Sequence, residues 1–102
     1  MKLSDVSAVS VVCAHLGAIR ELLRDARGGL LVGDNVSTSS AVCLADAQSR
    51  AMALHRIFGT EETARIENAV LTMKETDSVM FLRNQIPAII SHLDTIRENL
   101  SL

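Results

Sequence analysis

"SVMFLRNQIPAIISHLDTIRENL", residues 78–100, decides whether this chain ends in one helix or two. Val79, Leu82, Ile86, Ile89, Leu93, Ile96 and Leu100 recur at intervals of 3, 4, 3, 4, 3 and 4, the spacing of one face of a helix. Pro87 falls inside this seam, where it removes one helical hydrogen bond and crowds the carbonyl of Arg83. The seam nevertheless keeps its phase across Pro87. The spacing therefore predicts a single final helix kinked at Pro87. An alternative stays open, in which Pro87 occupies the first turn of a new helix.

Working backwards, the phase is lost. The projected seam lands on Glu75, Thr72 and Asn68, so "KETDS" (74–78) is expected to be a break or tight turn. Before it, Thr60 is a candidate N-cap, and Glu61 and Glu62 place acids at the positive end of a helix. The buried side of that helix is read as Ile66, Ala69, Val70 and Met73. Gly59 closes a preceding helix, expected from about Ser39 to Phe58, with Leu44, Ala47, Ala51, Leu54 and Phe58 as its seam.

The first helix is expected from about Ser4, as N-cap, to about Arg27, where Gly28 and Gly29 stop it. Its seam is Val9, Val12, Leu16, Ile19 and Leu23. A second row, Val11, His15, Ala18 and Leu22, follows the same rhythm on a different side, leaving a narrower polar face with Ser7, Ser10, Glu21 and Asp25. A surface helix usually carries one apolar stripe. This one is therefore expected to meet protein on two sides.

The connection "GGLLVGDNVSTSS" (28–40) is rich in turn formers and alternative N-caps, and Leu30, Leu31 and Val32 are expected to fold back as a plug. Its glycines imitate a phosphate-binding loop, but Asp34 and Asn35 stand where a lysine and a hydroxyl would be needed. These elements predict an all-α protein, a small up-down bundle of three to four helices forming a single domain over residues 1–102.

Composition narrows the function classes. Of 102 residues 48% are hydrophobic but only two are aromatic, both Phe, so the core must be aliphatic. Ten Lys and Arg against twelve Asp and Glu give a net charge of -2. No field gathers phosphate backbones and no aromatic platform stacks bases, which argues against nucleic acid as a partner. The start of the chain imitates a lipoprotein signal, yet Ser4 and Asp5 interrupt its apolar region and Val12 precedes Cys13 where a small residue is wanted. No run approaches the ~20 consecutive apolar residues of a membrane span. A cytoplasmic protein without a membrane partner is expected. Cys13 and Cys43 lack any C-x-x-C spacing and are read as buried, reduced thiols.

Residues 55–60, His55-Arg56-Ile57-Phe58-Gly59-Thr60, bear the one extended motif. In outline they resemble the H-x-L-K-G-S/T signature of histidine phosphotransfer domains, which are helical bundles of about this length. The resemblance implies His55 as phosphoacceptor and Gly59 as the residue that leaves room for a partner; Phe58 stands where that family has lysine. A shorter pattern, Arg50-x4-His55, is similar to the R-x4-6-H motif of the HEPN ribonucleases. It implies Arg50 holding a phosphate while His55 shuttles a proton. On a straight helix, however, residues five apart diverge by about 140°.

The reading preferred from the residues themselves assigns no catalytic role. His55 sits about 60° from the centre of its seam, beside Gln48 and Met52, where a half-buried imidazole with one hydrogen-bond partner belongs. His15 and His92 flank their seams likewise, with no second ligand at i+3 or i+4, so neither a metal nor another cofactor is expected. Arg20, Arg24 and Arg27 form a basic edge that answers the helix dipole, or alternatively meets an acidic partner.

There remains more apolar helix surface than one chain is expected to cover. At about 25 cal/mol per Å², a second row left in water would forgo several kcal/mol. The expectation is a homodimer with Val11, His15, Ala18, Leu22, Ile89, Leu93 and Ile96 in its interface. The function expected is that of a non-enzymatic regulatory or adaptor protein working through helix-helix contacts. Small bacterial or phage-encoded helical regulators and secretion chaperones are the pattern.

Overall fold

The computed structural model describes residues 6–30, 35–74 and 77–101. The expectations for Ser4, Leu31 and Val32 lie outside these. Four helices follow in order: α1 (Val6–Leu30), α2 (Thr38–Phe58), α3 (Glu61–Leu71) and α4 (Val79–Ser101), with no strand among the described residues. The all-α bundle is thus the fold, with four helices.

Neighbours run antiparallel. Ser40 near the start of α2 bonds Ala26 near the end of α1, and His55 late in α2 bonds Thr63 early in α3. Arg20 and Leu30 of α1 meet Asp94 and Arg83 of α4 respectively. Each helix packs on the next and α4 returns to α1, closing an up-down-up-down ring. The molecule measures 44 × 22 × 17 Å. Its short dimensions suit a section two helices by two, since packed helix axes lie about 8–10 Å apart.

Local chemistry sets the helix ends. Ser37 in extended conformation accepts the Ser40 N–H at 3.1 Å, starting α2. Gly59 ends it at φ 59°, a left-handed conformation that suits a residue without Cβ, and donates its N–H to the His55 carbonyl. Thr60 and Thr63 form a reciprocal capping box at the start of α3. The seam's reading of one final helix holds, since α4 continues through an exposed Pro87. Between α3 and α4, the Lys74 N–H donates to Asp77 Oδ2 at 2.9 Å inside the expected break.

The end of α1 departs from expectation. Gly28 and Gly29 do not stop the helix, which runs on to Leu30. A Cβ built on Gly29 would lie 2.2 Å from Ser40 Oγ, so this glycine lets α2 come close. In that space Ser40 is buried and donates to the Ala26 carbonyl at 2.9 Å. Leu30 is buried too, and its carbonyl accepts from Arg83 of α4. Packing from two other helices therefore overrides a local stop signal.

The core is the continuous aliphatic cluster foreseen from the seams, with Val12, Ile19, Leu23, Leu54, Ile66 and Leu82 among its most buried members. Five of the positions read as buried fall short: Val9, Phe58, Ala69, Val79 and Leu100 are only half-buried. Cys13 and Cys43 are free but likewise half-buried, a correction to the buried thiols expected. α3 has 11 residues against the 21 of α2, so it lines only one half of the ring.

Candidate functional site

His55 sits in the last turn of α2, half-buried, with Nδ1 2.9 Å from Thr63 Oγ1. Thr63 is completely buried, and its hydroxyl is already engaged. It accepts the Thr60 N–H at 3.0 Å and donates its single proton to the Thr60 carbonyl, also at 3.0 Å. Thr60 Oγ1 lies 3.1 Å from the same hydroxyl, so Thr63 Oγ1 is the centre of a small network that holds the His55 ring through Nδ1. The environment is the one the seam predicted, a flanking imidazole with one partner.

Arg50 does not join it. α2 is continuous from Thr38 to Phe58, so the two side chains leave it about 140° apart. His55 turns toward α3, and Arg50 lies exposed on the other side of the seam. One chain therefore does not assemble the Arg-His pair of the nuclease pattern. His15 is half-buried on α1 and His92 exposed on α4, and no group of three or more metal-ligating side chains occurs among the described residues.

The basic edge is largely internally matched. Arg20 Nε lies 3.2 Å from Asp94 Oδ1, and Arg24 lies 3.7 Å from Glu21. Arg27 is half-buried.

The proposed interface divides in two. Ile89, Leu93 and Ile96 are 6%, 1% and 4% exposed, inside this chain's own core, which removes them as partner contacts. A regular seam marks burial but does not name what buries it. The α1 row is different: Val11 is 45% exposed, while His15, Ala18 and Leu22 are half-buried. At about 100° per residue these share the α1 flank of Ala26 and Gly29, which touches α2. The facing flank of α2 carries Cys43, Arg50 and Ile57, opposite the side on which Gln48 donates to the Val70 carbonyl of α3 and His55 meets Thr63. The register set by Ala26 and Ser40 brings Val11 level with the last turn of α2, where Ile57 is 71% exposed.

A second feature was not foreseen. A groove of about 420 Å³ opens between α3 and α4. Its apolar floor is Ala69, Ala88 and Ile89, and its rim is Arg65, Asn68, Thr72 and His92. Arg65, Asn68 or Ala69, and Thr72 follow the i, i+3/i+4, i+7 rhythm of one helix flank. The sequence holds that rhythm, but not the fact that this flank borders His92.

α1 also qualifies the membrane expectation. By length and composition alone it could cross a bilayer. In the bundle its Val12, Leu16, Ile19 and Leu23 face the core instead. Comparison with protein-family models, curated proteins and solved structures finds no match.

Proposed function

We propose that this protein is a non-enzymatic regulatory or adaptor module, placed in the cytoplasm, that acts through helix-helix contacts as a homodimer. The supporting observation is the outer flank shared by α1 and α2, where exposed Val11 and Ile57 continue into half-buried Ala18, Leu22 and Cys43. An apolar strip along two antiparallel helices suits a two-fold contact, because the same surface can meet itself. Exposed charges border it, Arg50 and Asp46 on α2 and Asp25 on α1. Sedimentation equilibrium tests the reading. A dimer at micromolar concentration is expected, converted to monomer by Val11→Glu with Ile57→Glu while helical content is retained. A wild-type chain still monomeric at 100 micromolar would sink it.

The histidine phosphotransfer reading keeps one observation in its favour. With Nδ1 held by Thr63, the ring is oriented and Nε2 is the nitrogen left outside that bond. Against it, Phe58 stands where the resemblance needs a lysine, and phosphoryl transfer leans on such charge. Incubation with phosphoramidate and intact-mass measurement decides: an adduct absent from His55→Gln would favour this reading over the adaptor.

A further inference from the structure

The α3–α4 groove joins an aliphatic floor to a rim of donors. Thr72 already donates its hydroxyl proton to the Ala69 carbonyl at 2.7 Å, so it offers the groove lone pairs only. The available donors are Arg65, Asn68 and His92, and among the described residues none of the three has a hydrogen-bond or ion-pair partner. No carboxylate lines the groove. Elsewhere on this acidic chain, Arg20 and Arg24 meet Asp94 and Glu21. Arg65 is a guanidinium beside an apolar surface with its fork unused.

The size of the groove argues for the class of occupant. Seven residues line it, against about 20–30 a side in a stable protein interface. Its volume falls within the range of about 300–1,000 Å³ found for small-molecule sites. The guanidinium of Arg65 matches a carboxylate in two parallel hydrogen bonds, and Asn68 and His92 can supply further donors. Ala69, Ala88 and Ile89 would cover an aliphatic stem directly attached to that head. We propose that the α3–α4 groove binds a small aliphatic monocarboxylate, its head on Arg65 and His92 and its chain on the alanine and isoleucine floor.

The test is a titration of the full ¹⁵N-labelled chain with sodium octanoate, below its micelle concentration and at constant ionic strength. Saturable amide shifts are expected within residues 65–72 and 88–92. Neutral octanol and inorganic phosphate should each bind at least tenfold more weakly, because each supplies only half of the complementarity. Arg65→Gln should weaken octanoate about tenfold, and Ala88→Leu, which fills the groove from an exposed position, should abolish the shifts. Both variants change exposed residues, so circular dichroism should be unaltered. Shifts that are non-saturable or located elsewhere would overturn the proposal. So would octanol matching octanoate, phosphate alone matching it, or undiminished affinity in Arg65→Gln.

Discussion

At the end of the bundle where α2 turns into α3, the ordering hydrogen bonds join residues close in the chain: Thr60 with Thr63, and His55 with Thr63 eight positions later. The opposite end has local bonds too, Ser37 with Ser40 and Lys74 with Asp77, but there two further bonds join Ala26 to Ser40 and Leu30 to Arg83, 14 and 53 positions apart. The first set can form as soon as one turn closes. The second requires helices already docked, with the loop-closure entropy of the intervening chain overcome. The same contrast appears in packing. α3 completes the ring at the first end, whereas at the other α4 begins with Met80 and Phe81 69% and 43% exposed. The α2–α3 corner is thus a locally determined unit, and the end of α1 is held in place by its neighbours.

The largest effect expected from breaking this contrast is at Thr63. Thr63→Val keeps the shape but removes the acceptor of the Thr60 N–H, the donor to the Thr60 carbonyl and the partner of the His55 ring. Thr60 is itself buried, so its groups have no ready access to water. Each unsatisfied buried group costs about 1–3 kcal/mol, and partial relaxation should leave a loss of about 2–3 kcal/mol. Urea unfolding measures it. A loss below about 1 kcal/mol would mean that the corner is set by Gly59 and packing rather than by this hydroxyl.

Arg83→Met comes next. It keeps an apolar stem but takes the donor from the Leu30 carbonyl, and Pro87 has already removed the usual helical partner of the Arg83 carbonyl. A hydrogen bond from a charged group contributes about 1.5–3 kcal/mol when buried. Arg83 is only half-buried, so about 1–2 kcal/mol is expected. Hydrogen exchange locates the effect: amides in the last turn of α1 should lose protection while those of residues 60–66 do not. Equal loss at both ends would erase the distinction between a local corner and a long-range one.

The same distinction explains what could be read before the fold was known. Thr60, Gly59 and the α4 seam carry their structural instruction within a few residues, and each element formed where its pattern placed it. The end of α1 carries no such instruction, because whether Gly29 stops a helix or admits a neighbour depends on Ser40, which sequence periodicity does not bring beside it. Ile89, Leu93 and Ile96 were misassigned for a related reason. Burial is written in a helix's rhythm, but the identity of the covering surface is not. His55 is legible because one helix fixes its angle to the seam, whereas the groove needs two helices, and no periodicity within either one places Arg65 beside His92.

The smallest effect is also the sharpest, since it sets two adjacent glycines against each other. In a helix interior, glycine to alanine is favourable by about 1 kcal/mol. At Gly28 nothing lies within 4 Å of the added Cβ, so Gly28→Ala should gain up to about that amount. At Gly29 the new methyl would meet Ser40 Oγ at 2.2 Å. The hydroxyl must rotate away and give up the Ala26 carbonyl, or the helices must part, at a cost of about 1–3 kcal/mol. Gly29→Ala should therefore lose about 1 kcal/mol net. Made together with Ser40→Ala, the same substitution should become near neutral, because the Oγ clash is gone and only Ser37 Oγ at 3.3 Å, a side-chain end that can turn aside, and the residue-40 Cβ at 3.5 Å remain beside it. That recovery is a coupling of the kind a double-mutant cycle isolates. If Gly29→Ala stabilises as much as Gly28→Ala, the close approach of α2 is not what carries α1 to Leu30, and the long-range account of that end fails with it.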